Sequence, residues 1–325
     1  MSTTLCGFVG GNTGGVLCDT KRKTPKKIFL GSKEFSSSEY ADPDTLAAAI
    51  LTACNLNNGN SAKLFPLQEI YEVAVTTEAD TKGKLALGPE RRLRKGKPSY
   101  TYSFETNLYQ YQKYLAWDDK VVPAFTLDSA NNFWGYRAGA AAYTVNTSNF
   151  KGEQVYVTVS GNGFEDGNAA TTGICTISIS YLSVEDFEKR GTYATLPATT
   201  SAGDFNGLKD VMLYEPQAHA SNVYKIKMVI PISKLASDLD IYDDHAAAIA
   251  AMTFTAFTGA TYGSSLTITS VAVDATLKAL TVTFDSTAFT ALSAATKIKL
   301  VPPTVATLVA AGITGLELAS VIVVK

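Results

Sequence analysis

The stretch from Ser99 to Tyr109 constrains the fold more than any other part of the chain. Aromatic residues at positions 100, 102 and 104 alternate with Ser, Thr or Glu at positions 99, 101, 103 and 105. A period of two places these two sets on opposite sides of an extended strand. The pattern therefore predicts a strand of an antiparallel sheet. One of its faces should pack on a core, and the other should meet water or a neighbouring subunit.

Neighbouring segments extend this predicted sheet from Leu64 to Tyr136. Strands are predicted at residues 69–77, 120–127 and 132–137, and again at 154–159 and 173–182. A charged, hairpin-like loop is predicted at 77–84, and a basic segment follows at 89–98. The segment 196–207, rich in Pro, Ala, Thr, Ser and Gly, is interpreted as a connector.

A short helix is predicted from Asp44 to Cys54. Asp42 is a suitable N-cap, and Pro43 suits the first helical position. Apolar residues recur four apart in this segment, which gives the helix one face to lay on a sheet. Upstream of residue 42 the sequence is irregular, rich in glycine and then basic. Residues 1–41 are therefore predicted to be an extended N-terminal arm that orders against a partner.

The amino-acid composition of the sequence changes near Asp244. After that point Ala, Thr, Val and Ser dominate, charged residues are sparse, and short alternating strands are separated by turns. This pattern indicates a small β-sandwich of compact-domain size. The predicted organisation is the arm at 1–41, a β-rich assembly domain at 42–243 with a sandwich or barrel and a short flanking helix, and the small sandwich at 244–325.

Composition favours a protein whose surface is covered by other protein. Hydrophobic residues make up 46% of the 325 residues and charged residues only 18%, against roughly 25% charged in typical soluble domains. The net charge of −2 gives no general signal for nucleic acid or a membrane surface. No secretory leader and no membrane-spanning stretch is predicted, so synthesis in a cytoplasm is expected.

The sequence offers no clustered chemistry. Its four cysteines, at positions 6, 18, 54 and 175, have no zinc spacing, and free buried thiols are predicted. The two histidines, His219 and His245, are not accompanied by a G-x-S-x-G nucleophile motif. The aspartates at 238, 240, 243 and 244 lack the spacing of a calcium loop and are interpreted as a solvated connector. No catalytic residue, metal site or cofactor is predicted.

Two basic stretches remain as candidate contacts. They could bind phosphate backbones, but they contain no interleaved aromatic residues. Complementary charge between subunits fixes register, so assembly contacts are favoured over sequence-specific nucleic-acid binding. The residues concerned are Lys21, Arg22, Lys23, Lys26 and Lys27 in the first stretch, and Arg91, Arg92, Arg94, Lys95 and Lys97 in the second.

These features resemble structural proteins of tailed-bacteriophage virions. The segment from Ser270 to Asp285, with two alternating strands joined by Asp274-Ala-Thr-Leu-Lys278, is similar to bacterial immunoglobulin-like domains. The sheet domain with one helix, an arm and long loops resembles tail-tube proteins. That resemblance implies rings joined by loops and arms, with sheet faces lining a lumen and the immunoglobulin-like domain projecting outward.

The sequence therefore predicts a non-enzymatic virion protein, made in the host cytoplasm and forming homo-oligomeric rings or a tube with other virion proteins. A capsid decoration or head-fibre protein is the first alternative. A surface adhesin that binds a cell-surface glycan, using the many tyrosines, is the second. Neither alternative involves a membrane.

Overall fold

The computed structural model describes residues 23–67, 70, 72–84, 90–94, 96, 98–105, 108–137, 149–165, 173–182, 191–230 and 239–325. The chain divides into two compact units, Met1–Gly207 and Leu208–Lys325. Residues 1–22 and the segment around Ser183–Lys189 lie outside the described residues.

Strands dominate the first unit. They are β1 (Pro25–Leu30), β2 (Glu34–Phe35), β3 (Phe65–Pro66), β4 (Glu72–Thr77), β5 (Thr81–Lys84), β6 (Glu90–Arg94), β7 (Pro98–Glu105), β8 (Lys120–Asp128), β9 (Asn132–Arg137), β10 (Phe150–Lys151), β11 (Glu153–Glu165), β12 (Ile174–Tyr181) and β13 (Gly191–Thr195). The helices are α1 (Pro43–Cys54) and α2 (Leu108–Tyr114), with single 3-10 turns at Leu115–Trp117 and Ala202–Asp204.

One antiparallel sheet organises this unit. Within the described residues its order is β2-β10-β9-β8-β11-β12-β7-β4, with β1 paired to β8 and β3, and β13 paired to β9. The predicted central strand is confirmed as β7, which pairs with β12 along its length. Strand β11 continues to Glu165, beyond the predicted end of this strand at Val159.

Strand β8 is buried on both faces and separates two cores. Val122 and Ala124 belong to one core, and Phe125 and Leu127 to the other. The first, here the tyrosine core, is built on Tyr100, Tyr102, Val155, Val157, Cys175, Ile177, Ile179 and Tyr181, with α2 packed at its side. The second, here the phenylalanine core, contains Phe29, Phe35, Phe125, Phe133, Phe150 and Phe205 and is covered by α1.

Helix α1 has the local signals that its sequence predicted. The Asp42 side chain accepts a hydrogen bond from Thr45 N at 2.9 Å, and Pro43 begins the helix. Leu46, Ile50 and Cys54 form its fully buried stripe. Cys54 and Cys175 are free and buried, as predicted, and burial raises the pKa of each thiol to about 12. These two thiols are consequently structural core residues.

The predicted extended arm is wrong for residues 23–41. Strand β1 pairs with β8, and Ile28, Phe29 and Leu30 have at most 1% of their surface exposed. This segment lies inside the sheet because its two faces contribute to both cores. Its basic flank obscured that pattern in the sequence. The predicted connector 196–207 also contributes core residues, since Leu196 and Phe205 are buried.

Ten further strands lie in the described residues of the second unit. They are β14 (Lys209–Tyr214), β15 (Val223–Ile230), β16 (Leu239–Asp240), β17 (Thr255–Thr258), β18 (Ser264–Leu266), β19 (Ile268–Asp274), β20 (Ala279–Phe284), β21 (Lys297–Val301), β22 (Leu316–Leu318) and β23 (Val321–Val324). Its helices are α3 (Tyr242–Ala250), α4 (Ser286–Thr290) and α5 (Val305–Ala310).

Two sheets share one hydrophobic core in this unit. The order of the larger sheet is β19-β20-β15-β14-β22, with β16 beside β15, and that of the smaller is β18-β17-β21-β23. The predicted sandwich thus starts earlier than residue 244. Strands β14 and β15 belong to it because Ile226 pairs with Leu280 and Lys209 with Leu316. The compact units divide after Gly207 instead of near residue 243. The mainly β fold class is confirmed.

The turn between β19 and β20 gives the second unit a pH-dependent stability. Lys225 Nζ lies 2.7 Å from an Asp274 carboxylate oxygen, and Leu277 N donates to Asp274 Oδ1 at 3.1 Å. The Lys225 hydrogen bond, followed by that from Leu277, lowers the pKa of Asp274 below its ordinary 3.8. A lowered folded-state pKa contributes stability that is present above the unfolded pKa and lost as pH falls through the folded value.

We therefore expect Asp274→Asn to weaken the second unit at pH 7. The difference from wild type should shrink as the pH falls below 3.8, where the native carboxylate becomes protonated too. Hydrogen exchange of the β19 and β20 amides, followed along a pH series, measures this stability difference locally. Lys225→Met should show the same loss at pH 7. If the stability difference between Asp274→Asn and wild type is just as large at the lowest pH, the stabilising role of the ionised Asp274 carboxylate is contradicted.

Candidate assembly surfaces

A flat polar surface covers one side of β7 and β12, opposite the tyrosine core. Paired hydroxyl oxygens lie 2.9 Å apart at Ser99 and Ser180, 3.2 Å at Thr101 and Ser178, and 3.3 Å at Ser103 and Thr176. These six residues are named here the hydroxyl face, and all are half-buried. The period of two in the sequence produces this face, because its polar positions all lie on one side of the strands.

Register extends the hydroxyl face onto the two flanking strands. On β4, Thr76 lies opposite Ser99, and on β11, Tyr156 lies opposite Ser180. Asp119 accepts a hydrogen bond from the Tyr156 hydroxyl, which raises the pKa of that phenol. The six hydroxyl-face residues, Thr76, Tyr156 and Thr158 contribute no carboxylate, ammonium or guanidinium group between them. This extended surface is therefore rich in hydroxyl groups, but the register also places Glu72 opposite Ser103, and the Asp119 carboxylate contacts Tyr156 at its margin.

Strand β4 forms an edge of the large sheet. Among the described residues it pairs with β7 alone. The interior of the strand, residues 73–76, has neither a charge nor a proline. Natural sheets usually protect their edges with such residues, and an unprotected edge pairs readily with another strand. Val75, 58% exposed, lies on this edge beside Tyr100 of the tyrosine core.

Strands β5 and β6 form a two-stranded ribbon directly after β4. Within the described part of the chain they pair only with each other. Lys82 Nζ lies 3.7 Å from a Glu90 carboxylate oxygen across the ribbon. Leu93 is 71% exposed, and a side chain at Gly83 would collide with it, since a Cβ there would lie 2.5 Å from Leu93 Cδ1. An isolated ribbon is marginally stable in water, so it is an element suited to pairing with a partner.

An open cleft of about 220 Å³ lies elsewhere on the first unit. The Phe65 and Trp117 rings form one wall in an edge-to-face arrangement, with centroids 5.1 Å apart. Gly31, Val122 and Pro123 complete the apolar lining, and Ser32, Asn60, Ser61 and Lys63 supply the polar part. Lys63 is itself held in place, because its Nζ donates to Leu56 O at 2.6 Å and lies 5.1 Å from the Phe65 ring centroid.

The structure separates the predicted basic contacts into different environments. Lys27 is 2% exposed, and its Nζ donates to Ala202 O at 3.0 Å, so this lysine is an internal residue. Lys23, Lys26 and Arg91 are exposed. Arg92 and Arg94 lie on β6, where the backbone alone is described. The remaining predicted contacts, Lys21, Arg22, Lys95 and Lys97, lie outside the described residues.

Sequence reasoning missed two exposed apolar residues, Val75 and Leu93. Val75 looked like an ordinary core position of an alternating strand. Leu93 is the single apolar residue among Arg91, Arg92 and Arg94, and an isolated leucine within a basic strand was the available signal. No strand was predicted in the basic segment 89–98, whereas residues 90–94 form β6.

His219, one of the two histidines, is engaged in packing in the second unit. The His219 ring stacks on Tyr224 with centroids 4.3 Å apart, and its Nδ1 lies 3.7 Å from a Glu215 carboxylate oxygen. Among the described residues, no three His, Cys, Asp or Glu side chains are grouped as metal ligands would be. None of the described helices combines the length and the apolar character needed to cross a bilayer.

Comparison with known proteins gives no relative for this chain: no family model, no curated protein and no solved structure matches it.

Proposed function

We propose that the chain is a non-enzymatic structural protein of a phage virion, a tail-tube subunit that assembles into rings. The observation that carries this proposal is the combination of the unprotected β4 edge with the uncharged hydroxyl face. Both belong to the large sheet of the first unit. The second unit is the immunoglobulin-like domain, and in the assembled ring it projects outward.

The β4 edge supports self-assembly. Its free N–H and C=O groups can continue the hydrogen-bond ladder into a strand of the next copy. Val75 would then lose most of its exposed surface, and burial of a valine side chain is worth about 1.5–3 kcal/mol. An edge contact of this kind joins one side of a subunit to a different side of its neighbour, and such contacts close into rings or continue as filaments.

The hydroxyl face supports a role in a continuous wall. The six hydroxyl-face residues carry no charge, so contacts made by them alone add no electrostatic repulsion between copies, and their hydroxyl groups can hydrogen-bond to water, to each other or to a neighbour. These residues lie on the surface of a sheet and none of them lines the described cleft, which does not favour an enzyme. Binding and catalytic sites are usually concave and carry a few convergent polar groups.

The proposal predicts stacked rings or tubes for the purified full-length protein at high concentration. Negative-stain electron microscopy tests it directly. Val75→Lys should abolish the rings, because a charge placed on the edge opposes strand addition. Its effect on the free energy of unfolding should stay within about 0.5 kcal/mol, as for other surface substitutions.

Val273→Lys is the matched control. Val273 is also an exposed valine, 46% accessible, and lies on β19, an edge strand of the second unit. Its substitution should leave ring formation unchanged. Wild-type protein that stays monomeric at every concentration contradicts the tail-tube proposal, and binding of those monomers to a capsid would establish the decoration role instead.

A further inference from the structure

Leu93 has the geometry of an anchor residue. It is 71% exposed, the largest value among the exposed large hydrophobic residues. It lies on a ribbon whose described strands pair only with each other, so the side chain stands away from both cores of the first unit. Interfaces are usually built around a few apolar anchors of this kind, each seated in a pocket of the partner.

The Phe65–Trp117 cleft has the size and lining for such an anchor. Its volume is about 220 Å³, larger than the roughly 150 Å³ apolar cavity that accommodates a benzene ring. Two aromatic rings, Val122 and Pro123 provide apolar contacts. Its polar groups are already engaged, since Ser32 Oγ donates to Ser61 O at 2.7 Å and Lys63 Nζ donates to Leu56 O.

The charges near the ribbon and the cleft are complementary. Residues 78–98 contain seven of the 28 Lys and Arg residues in the chain but only three of the 30 Asp and Glu residues. Arg91 is exposed two positions before Leu93, roughly 7 Å along the strand and on the same side. Asp118 and Asp119 follow Trp117 directly beside the cleft. They accept hydrogen bonds from Val159 N and the Tyr156 hydroxyl, and the exposed Lys120 comes next, so the turn keeps a net negative charge.

We propose that Leu93 of one copy inserts into the Phe65–Trp117 cleft of the next copy, while Arg91 reaches the Asp118–Asp119 turn. This inference rests on the proposed structural role, because it names the partner of the ribbon as a second copy of the chain. The apolar anchor favours a protein partner over a nucleic acid, because phosphates bind cationic side chains and make no favourable contact with an exposed leucine.

The contact is head-to-tail, because each copy presents a ribbon and a cleft on different surfaces. Such an interface leaves one unused ribbon and one unused cleft at the ends of any open chain of subunits. A copy with a defective ribbon can still receive a neighbour, and a copy with a blocked cleft can still donate its ribbon. When the two different defective copies are mixed, each pair should therefore form one ribbon-and-cleft contact, and no second contact of this kind can form.

Three variants test this expectation. Leu93→Ser removes the anchor, and Ser61→Trp fills the cleft from an exposed position while the Ser61 carbonyl that accepts from Ser32 is kept. Leu51→Ser is the matched control, an exposed leucine on α1 with 42% of its surface accessible. Sedimentation velocity is measured at concentrations where wild type forms multimers, and thermal unfolding verifies that each variant is folded.

The two single variants should each raise the dissociation constant roughly ten-fold or more, the effect of losing one buried leucine contact. An equimolar mixture of Leu93→Ser and Ser61→Trp should assemble more strongly than either variant alone, because each mixed pair regains one intact ribbon-and-cleft contact. Leu51→Ser should assemble like wild type. If both single variants form wild-type rings, or if the mixture stays monomeric, the ribbon-and-cleft contact is wrong. If both single variants form wild-type rings, only the ribbon-and-cleft contact is wrong and the tail-tube proposal stands. If the wild-type protein is monomeric, both the ribbon-and-cleft contact and the tail-tube proposal are contradicted.

Discussion

Phe133→Ala is expected to lower the free energy of unfolding of the first unit by about 3–5 kcal/mol, the usual cost of removing a buried aromatic ring. Phe133 is fully buried and lies at the centre of the phenylalanine core. Its ring centroid is 4.9 Å from that of Phe125, 5.4 Å from Phe29 and 5.9 Å from Phe35. These neighbours come from three strands, so they cannot close around the cavity without moving the sheet.

Urea unfolding followed by tryptophan fluorescence measures this loss. Both tryptophans of the chain, Trp117 and Trp134, belong to the first unit, so the signal reports on it alone. Phe133→Leu is the control, because it keeps an apolar side chain of intermediate volume and should cost less than half as much. A loss below about 1 kcal/mol for the alanine variant would mean that the phenylalanine core is not close-packed.

Asp128→Ala is also expected to lower the free energy of unfolding of the first unit by about 3–5 kcal/mol, because it removes a buried hydrogen-bond acceptor. The Asp128 carboxylate is completely buried at the end of β8. Its Oδ1 accepts hydrogen bonds from Ala130 N at 2.9 Å and Asn132 N at 3.0 Å. Its Oδ2 accepts from Trp134 Nε1 at 2.7 Å and Asn132 Nδ2 at 3.2 Å. Lys23 N also donates to Oδ2 at 3.4 Å. The alanine variant removes the common acceptor of these five hydrogen bonds, and each buried donor left without one is costly.

The free energy of unfolding of Asp128→Asn should lie between those of Asp128→Ala and wild type. Its amide oxygen still accepts at one position, but its NH₂ group faces a donor and cannot accept a hydrogen bond from it. Asp44→Ala is the control for the residue type. Asp44 is exposed in the first turn of α1, and its loss should cost at most about 1 kcal/mol of favourable interaction with the helix dipole. The same urea titration applies, and equal effects for Asp44→Ala and Asp128→Ala would contradict the buried role of Asp128.

Local patterns predicted the elements whose signals are local. The alternation around Tyr100 and Tyr102 predicted β7, and the sequence around Asp42 and Pro43 predicted α1. The predicted strands at 120–127 and 132–137 left a break at residues 128–131, but the five hydrogen bonds to the buried Asp128 carboxylate were not predicted. Alternation reveals which side of a strand is polar, and caps reveal where a helix begins. Neither requires knowledge of distant parts of the chain.

Features that depend on distant residues were not predictable in this way. Lys27 looked like part of a solvated basic arm, but its Nζ meets a carbonyl at Ala202, far away in sequence. The true start of the second unit was hidden because β14 and β15 resemble the earlier strands in composition. The cleft likewise combines residues near 31, 61, 65, 117 and 122, whose proximity follows only from β1 pairing with β3 and β8.

The pairing of β14 with β22 has a consequence for biosynthesis. Because Lys209 pairs with Leu316, the first strand of the second unit cannot complete this pairing until the segment containing Leu316 has left the ribosome. The described strands of the first unit, by contrast, have all been made once β13 is complete. Vectorial synthesis thus lets the first unit fold early, while the side of β14 that pairs with β22 stays exposed to misassociation with other nascent chains until β22 has been made.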